Sequence, residues 1–126
     1  MGKIVFSGKF GPPHPGHICT ILDIAKKYQV PVIVVILDYP DRKFPAQYSK
    51  QVFDAIFRHT SYDIGVEINT THFAKVTKKE LAKYGDFLYA SGNLKVLRHI
   101  EKLGYLTVYT DRKFHYTASD IPFPDE

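Results

Sequence analysis

Two hydrophobic patterns alternate along the chain. Lys3 to Ser7 (KIVFS) is a compact apolar run ended by Gly8, and it predicts a short buried strand. From Pro15 to Tyr28, Ile18, Ile21, Leu22 and Ala25 recur at helical spacing, with Lys26 and Lys27 closing the last turn. Pro31 to Leu37 (PVIVVIL) is β-branched almost throughout, the mark of a strand covered on both faces. Asp38 to Pro45 holds two prolines and predicts a loop. Ser49 is then placed to cap a helix running to about His59, with Val52, Phe53, Ile56 and Phe57 on one side. Ile64 to Ile68 is a third and weaker strand.

Thr77, with Glu80 three residues later, forms a capping box for a helix to Tyr84 that stops before Gly85. Phe87 to Ala90 predicts a fourth strand, Asn93 to Leu103 a helix closed by Gly104, and Tyr105 to Thr110 (YLTVYT) a fifth strand. Strand and helix in regular alternation predict an α/β fold, a doubly wound parallel sheet with helices on both faces. One domain over residues 1–121 is expected, followed by a short C-terminal tail, 122–126, with two prolines and two acids. There is no internal repeat, low-complexity tract or linker.

Composition narrows the class. A chain of 126 residues, 44% of them hydrophobic, is long enough for one self-sufficient core. Cys19 is the single cysteine, so no intramolecular disulfide forms, and a reducing, cytoplasmic setting is expected. The apolar run Val30 to Leu37 is too short to cross a bilayer, and the first residues lack a signal-peptide core, so neither a membrane nor a secreted protein is expected. Seventeen Lys and Arg against 13 Asp and Glu give a net charge of +4, which favours phosphate-bearing ligands. Thirteen of the cations are Lys, and no helix is expected to carry basic residues along a whole face, which argues against a nucleic-acid partner and for a small anion.

The chemistry concentrates where the first strand empties into Gly8-Lys9-Phe10-Gly11-Pro12-Pro13-His14-Pro15-Gly16-His17, directly ahead of a helix. Neither G-x-G-x-x-G nor G-x-x-x-x-G-K-[ST] is present. The physical logic is related, because a helix N-terminus offers unpaired N–H groups and partial positive charge to a phosphate. His14 and His17, three apart across the small Gly16, can both turn to that position, and Gly8 and Gly16 would let backbone approach closely. Two neighbouring histidines are in general a satisfied surface pair, and zinc is a weaker alternative because no Cys, Asp or Glu lies at a useful spacing nearby. The strand-end, helix-start setting favours the phosphate reading.

These residues carry a resemblance. Gly8-x-Phe10 followed by His14-x-Gly16-His17 resembles the H-x-G-H signature of the nucleotidyltransferase superfamily, whose small cytidylyltransferases, of the glycerol-3-phosphate cytidylyltransferase type, are similar in length. Tyr116-Thr117-Ala118-Ser119-Asp120-Ile121 is similar to the family's late I-S-[ST]-T-x-I motif, and Arg112 falls where those enzymes carry an Arg. Ser91-Gly92-Asn93 sits where the family has a loop beside the nucleobase and ribose, and Arg42-Lys43 and Lys50 where it places cations near the phosphates. Gly11 replaces the family's common Asp.

The resemblance implies a Rossmann-like sheet of about five strands in the order 3-2-1-4-5. It also implies transfer of a nucleoside monophosphate from a triphosphate to a small phosphorylated substrate, with release of pyrophosphate. CTP is placed slightly ahead of ATP, and Mg²⁺ would accompany the triphosphate. His14, His17, Lys9 and Lys50 are the implied catalytic set. Gly8, Phe10, Gly16, Lys43, Ser91, Gly92, Asn93, Arg112, Tyr116, Thr117 and Ser119 are the implied nucleotide-binding set, with no metal ligand from the protein. A homodimer is left open, as are an inactive nucleotide-binding module and an RNA-binding domain of the same fold. Cys19 is read as a small core residue, His59, His72 and His99 as surface residues, and Lys26, Lys27, Lys78, Lys79 and Lys83 as solvated helix faces.

Overall fold

The computed structural model describes residues 2–40, 42–71 and 73–110. Five strands, β1 (Lys3–Gly8), β2 (Val32–Leu37), β3 (Ile64–Asn69), β4 (Phe87–Ser91) and β5 (Thr107–Tyr109), form one sheet in the order β3-β2-β1-β4-β5. Every pairing is parallel, and β1 is the central strand, with Ile4 opposite Val32 on one side and Leu88 on the other. The chain is thus an α/β protein with the predicted Rossmann-like sheet order.

Alternation along the strands sorts the core into two layers. Ile4, Phe6, Val32, Val34 and Ile36 face Ile21 and Ile24 of α1 (Pro15–Tyr28) and Phe53 and Phe57 of α2 (Ala46–Phe57). Val5, Val35, Leu37 and Tyr89 point the other way, onto Phe73, onto Leu81 of α3 (Lys78–Leu81) and onto Ile100 of α4 (Leu94–Lys102). Among the described residues no helix is long and apolar enough to cross a membrane.

Local structure departs from expectation at several points. Ser49 does not cap α2. Pro45 takes that place, its carbonyl accepting from Tyr48 and Ser49, and Ser49 is wholly buried inside the helix. Proline suits a helix start because it has no N–H to leave unsatisfied there. Thr77 and Glu80 do form the capping box, yet α-helix ends at Leu81 and a 3₁₀ turn, Ala82–Tyr84, continues to Gly85 at φ 69°. An unexpected 3₁₀ turn spans Phe73–Lys75. β5 is shorter than its apolar run: the Tyr105 N–H donates to the Ile100 carbonyl of α4, and the Tyr105 ring stacks on Phe87. Cys19 is only half-buried, outside both core layers.

Two corrections concern α4. His99 is no simple surface residue, since it is half-buried with its Nε2 2.7 Å from the carbonyl oxygen of Val76. A helix with a basic face does exist: Lys95, Arg98, His99 and Lys102, at i, i+3, i+4 and i+7, share the side of α4 opposite Val96, Leu97 and Ile100.

Candidate functional site

Parallel strands β1 and β4 lie side by side, and the helices that follow them pack in opposite layers, α1 with one and α4 with the other. This is the point in an open α/β sheet where a crevice opens beyond the carboxyl ends of the strands. Residues 8–17 and 91–93 border it.

The first loop ends in a helix cap built from two imidazoles. His14, extended at φ −136° and ψ 170°, is the N-cap of α1, and its Nδ1 accepts the Gly16 N–H at 3.1 Å. His17 Nδ1 in turn accepts the His14 N–H at 3.3 Å, which completes a capping box with His in the place usually held by Glu. The rings stack with centroids 3.6 Å apart. Each Nδ1 is an acceptor, so in the neutral form each ring carries its proton on Nε2. Both rings are thus fixed at the start of α1, His14 buried down to its Nε2 and His17 half-buried.

Phe10 supports this pair from below. It is buried at φ 45°, with its ring edge-on to His17 at 4.9 Å and to Phe53 at 5.1 Å. A Cβ on Gly8 would lie 2.8 Å from Phe10 Cζ. Gly8 is thus required by the folding of Phe10 over it, rather than by close approach of a ligand. The Gly11–Pro12 peptide is cis.

Arg42 ties the loop after β2 to the loop after β1. Its guanidinium donates to the carbonyls of Lys9 at 2.6 Å, Leu37 at 3.1 Å, Phe10 at 3.3 Å and Phe44, and to Ser49 Oγ at 3.0 Å. Burial lowers its pKa and nearby Asp38 opposes that shift. With its fork filled by backbone, Arg42 braces the site instead of facing it. A Cβ on Gly11 would come 3.3 Å from Arg42 Nη2, so a side chain there would crowd the guanidinium.

The second border is equally ordered. Ser91 is buried and its Oγ accepts the Asn93 N–H at 3.1 Å, while Asn93 Oδ1 caps α4 through the N–H groups of Lys95 and Val96. Gly92 passes close to Thr110, whose carbonyl oxygen would sit 3.2 Å from an added Cβ. Beneath the crevice the hydroxyls of Ser7 and Tyr89 are hydrogen-bonded, which joins β1 to β4 through side chains as well as backbone. Burial pushes the Tyr89 phenol well above the usual tyrosine range, against the opposing hydrogen bond from Ser7.

The structure therefore gathers Gly8, Phe10, Gly16, His14 and His17 on one border and Ser91, Gly92 and Asn93 on the other. Lys9 and Lys43 are exposed on the adjoining loops, and Lys50 on α2 is engaged by Asp54 at 2.6 Å. Arg112, Tyr116, Thr117 and Ser119 lie outside the described residues, as do His72 and the tail 122–126. Sequence reasoning missed Ser7, Tyr89, Ser49 and the bracing role of Arg42. Ser7, a polar residue ending an apolar strand, was the readable signal among them.

Mg²⁺ takes hard oxygen ligands, chiefly carboxylates. Among the described residues there is no group of three or more His, Cys, Asp or Glu able to hold a metal. Imidazoles and ammonium groups border the crevice, and they do not fit a protein-held Mg²⁺.

No protein-family model matches the chain, and no curated protein matches it. Its fold is similar to a crystal structure of a protein of unknown function from Archaeoglobus fulgidus, with a TM-score of 0.55 at 18% identity, covering 94% of this chain and 96% of that one. At that identity the likeness bears on the fold alone.

Proposed function

We propose that this chain is a nucleotidyltransferase, moving a nucleoside monophosphate from a triphosphate, with CTP ahead of ATP, to a small phosphorylated substrate in a cytoplasmic setting. The observation that carries the reading is the stacked His14–His17 pair at the start of α1, with both Nδ1 atoms accepting backbone N–H groups and both rings thereby fixed in orientation. Donors of fixed orientation beside a helix N-terminus suit a phosphoryl group that gains charge on its non-bridging oxygens.

In this reaction a phosphate oxygen of the acceptor forms a bond to the α-phosphorus. The bond to the bridging oxygen breaks, and pyrophosphate leaves with the electron pair. No covalent intermediate with the protein is needed, so positioning and charge stabilisation supply the rate. His14 and His17 donate to the transferring group. Lys9 and Lys43 extend from the adjoining loops toward the β- and γ-phosphates. Lys50 joins them by leaving Asp54, an exposed i,i+4 pair of the kind worth about 0.3–0.5 kcal/mol. Ser91, Gly92 and Asn93 border the nucleoside. The roles of Arg112, Tyr116, Thr117 and Ser119 on the triphosphate rest on the sequence resemblance.

One observation favours a second reading, a nucleotide-binding module without turnover: His14 is buried and serves as the cap of α1, which is a structural duty in itself. The experiment that separates the two is pyrophosphate release from CTP and ATP with Mg²⁺ across a panel of phosphorylated small molecules, for wild type and His17→Ala. Turnover that falls roughly 100-fold or more in the variant, with triphosphate affinity little changed, supports the transferase. Binding without release in the wild type supports the module, and turnover unaffected by His17→Ala removes His17 from the chemistry.

A further inference from the structure

The basic face of α4 borders an open, shallow groove of about 260 Å³ lined, among the described residues, by Lys95, Arg98, His99 and Lys102 and by no acid. Its orientation is fixed by the opposite side of the helix, where Val96, Leu97 and Ile100 are buried. His99 is fixed as well. A carbonyl can only accept, so its Nε2 donates to Val76 and the ring stands against the 3₁₀ segment beside α4. The lysines and the arginine are exposed, and the Lys50–Asp54 and Lys83–Glu67 ion pairs do not include them. Glu101, the acid of this helix, receives the Thr107 hydroxyl instead.

Like charges at i,i+3 and i,i+4 repel, and folding does not require them at exposed positions. A bound polyanion would turn that repulsion into attraction. Over seven residues at about 1.5 Å rise each, the row spans roughly 10 Å, the scale of a short phosphate chain. No Phe, Tyr or Trp lines the groove, and the His99 ring is held by Val76, so the extended aromatic platform that single-stranded nucleic acid uses is lacking there.

We propose that the α4 groove is a second anion site that takes a linear oligophosphate, either free or as the phosphate chain of a nucleotide. It stands independently of the H-x-G-H reading, because none of its residues belongs to that site.

The test is an amide-resolved NMR titration of the full chain with sodium tripolyphosphate, CTP, ATP and a single-stranded RNA oligonucleotide. Tripolyphosphate is expected to shift the amides of residues 94–103 in a saturable manner, weakening as salt is raised. In Lys95→Gln/Arg98→Gln/Lys102→Gln the α4 response should weaken by about tenfold or more while any response at residues 8–17 persists. Glutamine keeps helix propensity close to that of lysine and arginine, and the wild-type titration stands without the variant. Equal α4 shifts from nucleotides and tripolyphosphate identify the phosphate chain in either form as the ligand, and shifts from tripolyphosphate alone identify the free anion. Absence of α4 shifts at millimolar tripolyphosphate, equal shifts in the triple variant, or tighter α4 binding of RNA than of tripolyphosphate would overturn the proposal.

Discussion

The hydroxyl of Ser49, in the interior of α2, donates to the carbonyl of Phe10 at 2.6 Å. Arg42 donates both to that hydroxyl and to that carbonyl, so three segments meet at one oxygen. Ser49→Ala should leave Phe10 and one Arg42 N–H short of a partner and cost about 1–3 kcal/mol in urea unfolding. Arg42→Lys should cost no less, since a single ammonium cannot reach the same set of acceptors. An unchanged unfolding midpoint in both variants would show that the brace contributes nothing.

Gly8→Ala tests the packing above β1. The added methyl meets Phe10 Cζ at 2.8 Å, and Phe10 is itself wedged between Phe6, Phe53 and His17. A loss of about 1–3 kcal/mol is expected from such overpacking. The variant should also show altered amide exchange in residues 9–17, because the ring must move and carries the loop with it. Wild-type stability and exchange would mean that Phe10 has room to yield.

His14 has two separable duties. His14→Ala removes the cap of α1 and should cost about 0.5–2 kcal/mol, while His14→Asn supplies another good N-cap and should recover most of it. If Nε2 of His14 also serves phosphoryl transfer, the Asn variant recovers stability and not turnover. Recovery of both by Asn would make His14 a cap and nothing more.

Alkaline pH should unfold the chain through two phenols. Burial raises the Tyr84 pKa, helped by its 2.6 Å hydrogen bond to Glu67, and burial raises that of Tyr89 beside Ser7. Both groups bind their proton more tightly folded than unfolded. Their contribution is therefore whole below the ordinary tyrosine value of about 10 and is lost as pH rises above it. Thermal midpoints followed with tyrosinate absorbance should fall above about pH 10 in the wild type and fall less steeply in Tyr84→Phe/Tyr89→Phe. Parallel curves for the two proteins would assign the alkaline loss to other groups.

The sheet was legible because its strands are short apolar runs separated by strong helical patterns, and α1 matches its predicted bounds from Pro15 to Tyr28. The two borders of the crevice were legible for a related reason, that glycine and cap residues mark strand ends in sequence. What escaped depends on tertiary partners. Ser49 reads as a cap by composition, yet its hydroxyl is used by Phe10, far away in the chain. Arg42 reads as a phosphate neighbour by resemblance, yet backbone carbonyls fill its fork. The basic row on α4 was present in the spacing of Lys95, Arg98 and Lys102, against the expectation that no helix carries a basic face.

The central position of β1 sets an order for assembly. Lys3 pairs with Phe87 and Phe6 with Ala90, whereas β1, β2 and β3 are connected through one helix at a time. A chain emerging from the ribosome can thus build β1, β2 and β3 with α1 and α2 while one edge of β1 still lacks its neighbour. That edge is apolar and unpaired until β4 is made, the condition under which a nascent sheet recruits the wrong strand. Closure of β4 onto β1 removes the hazard, and the same step brings Tyr89 to Ser7 and Ser91 alongside the histidine loop. The crevice cannot exist before the vulnerable edge is covered.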